Sequence, residues 1–187
     1  EGESLGCVVV YKGSHTSSEF NQNIVAEYIG RKQDPEDIDR IAELFADLYN
    51  AQIMHENEVF GVRSYFKRIK RLQLRAVQPD GVISKPVKNR KTARVFGCHM
   101  NAPLKQAGLR YIKSWLLTVT DHDENGAPIT TINRLYSLRL IEECIAYHEK
   151  GNYDYISALI MAMFHREEQG ISKEYGQEDK KTNKKKK

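Results

Sequence analysis

"DPEDIDRIAELFADLYNAQIMH", residues 34–55, decides the fold, because it places a complete amphipathic helix directly before a short apolar strand. Asp34 reads as an N-cap and Pro35 as the first helical residue, with acids following in the first turn. Ile38, Ile41, Leu44, Phe45 and Leu48 recur at three-to-four spacing and predict an apolar stripe that faces a sheet. "AQIMH" (51–55) then reads as a short strand. Upstream, "GCVVVYKG" (6–13) is a β-branched run ending in a turn, and "NQNIVAEYIG" (21–30) is a second strand. The two strands predict a hairpin closed by Gly30.

Downstream the pattern turns helical. "VFGVRSYFKRIKRL" (59–72) predicts a helix with a basic face, "QPDG" a turn, and "SKPVKNRKTARVFG" a basic loop. Pro103 opens a helix through "LKQAGLRYIKSWLLTVT", and "DHDENGAP" is the tip of a hairpin whose return strand is "ITTI". "RLYSLRLIEECIAYHEK" and "YDYISALIMAMFHREE" are two more helices separated by "GN", the second apolar on most sides and so expected deep in the core. Residues 1–170 read as one domain and 171–187 as a disordered lysine-rich tail. A hairpin followed by a strand that returns through a helical crossover predicts an α/β fold, a ribonuclease-H-like mixed sheet flanked by helices. Neither a GxxxxGK[ST] nor a GxGxxG pattern occurs, so nucleotide binding by this chain has no support.

Composition narrows the partners. Between Val59 and Thr120 there are 14 Lys or Arg residues and one acid, Asp80, and "KKTNKKKK" (180–187) adds six lysines to a chain of net charge +4. Such segregation predicts a surface for a polyanion, DNA or RNA first, against the plainer reading of a lopsided solvated face. No apolar run is long enough to span a bilayer, and "EGESLG" opens the chain without a signal-peptide n-region. Cys7, Cys98 and Cys144 are odd in number and widely spaced, so reduced thiols and a cytosolic setting are expected. The adjacent Cys98 and His99 lack the second pair that a zinc site needs.

Two carboxylates carry the chemistry. Glu56 ends the strand 51–55, and the carboxyl end of a strand is where α/β sheets bind ligands. Asp154 opens the last apolar helix. Converging carboxylates suit a hard divalent cation, and paired Mg²⁺ or Mn²⁺ ions can activate water against a phosphodiester. Each acid also has a structural reading: Glu56 as a solvated capping acid, and Asp154 as a complement to the helix dipole.

"IVAEYIGR", "LYNAQIMHENEVFGVRSYF", "WLLT" and "IEECIAYHEKGNYDYISALIMAMFHREE" together resemble the nuclease domain of the large terminase subunit of tailed phages, especially forms carried by phages of gut bacteria, including the crAss-like group. The resemblance runs from about Cys7 to Glu168, and its motifs are short but ordered and spaced as in that family. It implies a ribonuclease-H-like fold and a metal cluster of three acids. These are an aspartate on the first strand, Glu56 at the second position and Asp154 at the third. It further implies Mg²⁺ or Mn²⁺, cleavage of double-stranded viral DNA during packaging, and a host-cell cytoplasmic setting without a membrane. In the full-length protein it implies an ATPase motor domain, a portal and a small terminase subunit as partners. Arg90, Lys91, Arg94, Lys105 and Lys113 are the expected phosphate contacts. Neither Glu1 nor Glu3 stands where the family's first aspartate should be, so that residue and its strand are expected before residue 1. A non-catalytic DNA-binding or docking module, a junction resolvase or transposase, and a portal- or procapsid-binding piece stand as alternatives; Asp154, where transposases place a glutamate, leans against the transposase.

Overall fold

The computed structural model describes residues 5–13, 21–57, 60–79 and 95–168. Strand β1 (Gly6–Lys12) pairs antiparallel with β2 (Asn23–Gly30), Gly6 opposite Gly30 and Val10 opposite Ala26, with an irregularity between Val10 and Tyr11. The expected hairpin is therefore present. Alternation along β1 sends its two faces to different partners. Cys7, Val9 and Tyr11 pack on the main core cluster. Gly6 lies on the other face, where an added Cβ would come within 2.4 Å of Ile38 on the first helix.

That helix, α1 (Glu36–Tyr49), starts one residue later than the sequence predicts, with Pro35 at the N-cap and the Glu36 amide donating to Asp34 Oδ1 at 2.9 Å. It ends at Asn50, whose φ of 48° turns the chain into the segment 51–57. The expected stripe is only partly right. Leu44 is 58% and Leu48 73% exposed, while Ala46 is buried and Ile38, Ala42 and Phe45 turn inward. The buried face lies along 38, 42, 45 and 46, one helical row away from 44 and 48.

Segment 51–57 is extended but forms only isolated bridges. Ile53 pairs parallel with Arg75, and Glu56 pairs parallel with Cys98, while Val77 pairs antiparallel with Phe96. Its backbone bonds run to one side: the Ile53 amide to Leu74 O, the Ala76 amide to Ile53 O, and the Cys98 amide to His55 O. Helix α2 (Phe60–Arg68) is shorter than expected and lies against α1. Arg68 pairs with Glu36 at 2.5 Å, and Arg71, just beyond α2, reaches Glu43 at 3.0 Å and also pairs with Asp47.

On the opposite side sit α3 (Ala102–Leu116), the hairpin β3 (Val119–His122) with β4 (Pro128–Thr130), α4 (Leu138–Ala146) and a last helix α5 over 154–168. Asn101 caps α3 by accepting the Leu104 amide at 3.0 Å. Ser137 caps α4 by accepting the Leu140 amide at 3.1 Å, which starts that helix four residues later than the sequence pattern suggests. The hub is α5, as its apolar sequence predicts. Tyr155, Leu159, Ile160 and Met163 are fully buried among Trp115, Leu140 and Cys98. Gly108 lets α3 close on it, since a Cβ there would stand 2.4 Å from Ile160 Cγ2. The described chain is thus mixed α/β, with α1 on one face of β1 and α5 on the other.

Candidate functional site

One cleft of about 1800 Å³ collects the chemistry. It is lined by every residue from Leu5 to Gly13, every residue from Tyr49 to Glu56, the inner face of α1 and one side of α5, Asp154 included. Both sequence-predicted acids, Glu56 and Asp154, therefore line the same cleft.

The Glu56 end is held by its neighbours. The Arg75 Nε donates to His55 Nε2 at 3.0 Å, so His55 Nδ1 carries the proton and donates to the Glu56 carbonyl at 2.9 Å. Burial, more than any other influence, lowers the His55 pKa and keeps the ring neutral. Arg75 is only 4% exposed, with its guanidinium 5.0 Å from the Phe96 ring centre. Gly97 closes the arrangement. Its φ is +78°, and a Cβ would stand 2.6 Å from the His55 carbonyl oxygen, so only glycine fits. Burial first, and then the Glu56 charge, raise the adjacent Cys98 thiol to about 11.

The Asp154 end has a different support. Asp154 Oδ2 accepts the Leu5 amide at 2.7 Å, which ties the start of α5 to the chain entering β1. The amides at the start of α5 go elsewhere: those of Tyr155 and Ile156 donate to Glu143 Oε2 at 3.1 and 3.2 Å. Glu143 is 8% exposed, with its other oxygen 3.8 Å from Arg139. The helix dipole of α5 is thus served by a carboxylate from α4. Nearby, the Tyr155 hydroxyl donates to Glu27 on β2. Burial, reinforced by Glu143, Asp154 and Glu27, raises the Cys7 thiol to about 12. Glu27 and Glu167 also line the cleft, as does Asp39 from α1, 8% exposed and raised to about 6 by burial and by the Glu36 charge.

Sequence reading missed Glu143, Glu27 and Asp39. Each looks like an ordinary helix or strand acid until its tertiary partner is known; only the i, i+4 position of Glu143 relative to Arg139 was legible.

The basic candidates are dispersed. Lys105 is half-buried and Lys113 exposed, both on α3, and neither lines the cleft. Arg90, Lys91 and Arg94 lie outside the described residues. The segregation of charge along the chain is partly undone in space. Arg68 and Arg71 are matched by the acids of α1, and Arg75 is buried against His55, so three of the 14 cations do not form an open basic face.

Glu56 and Asp154 are oxygen donors, a set that suits Mg²⁺ or Mn²⁺, which accept one or two carboxylates and keep several waters. Among the described residues no group of three or more His, Cys, Asp or Glu side chains could hold a metal ion. No helix among them is long and apolar enough to cross a membrane. No family model, curated protein or solved structure matches the chain.

Proposed function

We propose that this chain is the nuclease domain of a DNA-packaging terminase, of ribonuclease-H-like fold, which hydrolyses phosphodiesters of double-stranded DNA with Mg²⁺ or Mn²⁺. One observation carries the reading: Glu56 and Asp154, two acids 98 positions apart in sequence, line a single cleft beside the hairpin. A second observation supports Asp154 in particular. The Tyr155 and Ile156 amides at the start of α5 donate to Glu143, so Asp154 is not their acceptor.

On this reading Glu56 and Asp154 hold the ions. Bound there, a divalent cation supplies an activated water and stabilises the leaving oxygen. The chain's own residues do the positioning. Arg75 and His55 fix the backbone of Glu56 through two successive hydrogen bonds, and Gly97 allows that close packing. The Leu5 amide holds Oδ2 of Asp154, which lines the cleft. Lys105 and Lys113, with Arg90, Lys91 and Arg94, would bind backbone phosphates, which position a duplex without reading its sequence. The third acid is the aspartate that the resemblance places on the first strand. An ATPase motor domain, a portal and a small terminase subunit in the host cytoplasm belong to the same proposal.

One rival stands beside it, a DNA-binding or docking module of the same fold without catalysis. Mn²⁺ separates them. At a hundred times its Kd a bound ion stabilises the folded state by about 2.7 kcal/mol. In the full-length protein, which carries the expected first strand, it should therefore raise the melting temperature of the parent, and not that of Glu56→Gln or Asp154→Asn. Plasmid nicking by the parent should require Mg²⁺ or Mn²⁺ and fall by orders of magnitude in both variants. Equal nicking in all three, or a melting temperature indifferent to Mn²⁺, would overturn the nuclease reading.

A further inference from the structure

Four Lys or Arg residues among those described line the cleft, and they divide between its ends: Lys12, Arg31, Lys32 and Arg166. Lys12 closes β1, roughly 20 Å of strand away from Gly6. Arg166 lies about 18 Å along α5 from Asp154, where its Nε donates to the Tyr11 hydroxyl at 3.2 Å. Arg31 and Lys32 follow the last residue of β2 and belong to the other end, beside Asp154.

Register places Arg31 there. Gly6 pairs with Gly30 across the hairpin, and Leu5, one residue earlier, donates its amide to Asp154 Oδ2 at 2.7 Å. Continued by one residue, the same register sets Arg31 opposite Leu5, the residue that holds Asp154. Opposite residues of antiparallel strands have Cα atoms about 4.5–5.5 Å apart. Alternation selects the face as well. Glu27 accepts the Tyr155 hydroxyl and Ile29 packs on the core around α5, so position 31 continues the row of β2 that faces α5. Lys32 falls in the other row, with its ammonium 5.6 Å from the centre of the Tyr28 ring. Arg31 is exposed and lines the cleft, so a ligand can reach it. A further strand paired to the other edge of β1 would leave this register unchanged.

The charges around this end give a guanidinium a task. Glu143, Asp154 and Glu27 all act on the Cys7 thiol and, after burial, raise it to about 12, so a phosphate arriving here meets negative charge. A guanidinium at the rim supplies the opposite sign, in a planar fork that matches two phosphate oxygens. We propose, resting on the nuclease reading, that Arg31 is a catalytic residue whose guanidinium donates to a non-bridging oxygen of the scissile phosphate. Hydrolysis forms a bond from the water oxygen to phosphorus and breaks the bond from phosphorus to the leaving sugar oxygen. The water gives up one proton and the leaving oxygen gains one. Arg31 stabilises the charge carried by the non-bridging oxygens in the transition state. Lys105 and Lys113 do not line the cleft, so their phosphates lie away from the cut.

The test compares plasmid nicking by the full-length protein with nicking by Arg31→Ala, Arg31→Lys and Lys150→Ala, the last an exposed cation outside the cleft. Initial rates against DNA concentration separate kcat from KM, and Tm with and without Mn²⁺ reports folding and ion binding. Arg31→Ala should lower kcat by about 10²–10³-fold while KM moves by less than about threefold. It should keep the parent's Tm and the parent's Mn²⁺ shift. Arg31→Lys should recover part of kcat, and Lys150→Ala should match the parent. Three results overturn the role of Arg31 and leave the nuclease reading standing: Arg31→Ala nicking at the parent's rate, a loss confined to KM, or an equal loss in Lys150→Ala. A loss of kcat accompanied by loss of the Mn²⁺ shift in both Arg31 variants would overturn it too, since Arg31 would then act through the ions. A parent that does not nick at all overturns the nuclease reading and this role together.

Discussion

Replacing Glu143 by Ala tests which carboxylate holds the start of α5. Glu143 Oε2 accepts two amides, Tyr155 at 3.1 Å and Ile156 at 3.2 Å, at a site 8% exposed where water cannot easily replace it. Leaving buried amides unpaired costs about 1–3 kcal/mol, and losing a partly buried anion at a helix N-terminus adds up to about 2 kcal/mol. The two overlap, so Glu143→Ala should destabilise by about 2–4 kcal/mol. For a chain of this length each 1 kcal/mol moves Tm by about 2–4 °C, so the expected fall is roughly 5–15 °C. Glu143→Gln keeps an acceptor oxygen and should lose about half as much. Asp154→Asn keeps an acceptor for the Leu5 amide and leaves the cap intact, so it should stay within about 1 kcal/mol of the parent. Urea unfolding of the three variants, followed by circular dichroism at 222 nm, measures all of this. The reasoning is refuted if Glu143→Ala stays within about 0.5 kcal/mol of the parent, or if Asp154→Asn proves as costly as Glu143→Ala.

Two further outcomes follow from the cleft. Asp39, raised to about 6 from an ordinary 3.8, binds its proton more tightly folded than unfolded, so stability is greatest below pH 4 as far as this group is concerned and is lost as pH rises toward 6 and above. The loss is on the order of 2 kcal/mol, and Asp39→Asn should remove that slope and match or exceed the parent's stability at pH 7 in urea titrations at pH 4, 5, 6 and 7. Gly97→Ala places a methyl 2.6 Å from the His55 carbonyl on a left-handed backbone, and should cost at least about 2 kcal/mol by the same unfolding measurement; a cost below about 0.5 kcal/mol would mean that 95–98 does not pack on His55 as described.

The sequence by itself determined the elements whose signals are local. The β1–β2 hairpin follows from two β-branched runs, the start of α1 from Asp34 and Pro35, and α5 from an apolar surface that could only be buried. It also marked Glu56 and Asp154, because strand ends and helix starts are legible in one dimension. Tertiary structure decided what depended on distant partners. Leu44 and Leu48 fit the helical period as well as Ala42 and Ala46 do, and only the placement of β1 selects the buried row. Arg68 and Arg71 belong to a basic stretch of the chain, yet α1 lies beside them and supplies their counter-charges. Segment 51–57 reads as a strand from its side chains, but its parallel partners, Arg75 and Cys98, come from stretches with no strand periodicity of their own. Glu143 became the cap of α5 for the same reason: a hydrogen bond between residues 12 positions apart leaves no trace in spacing, and only the packing of α4 against α5 brings the acceptor to the amides.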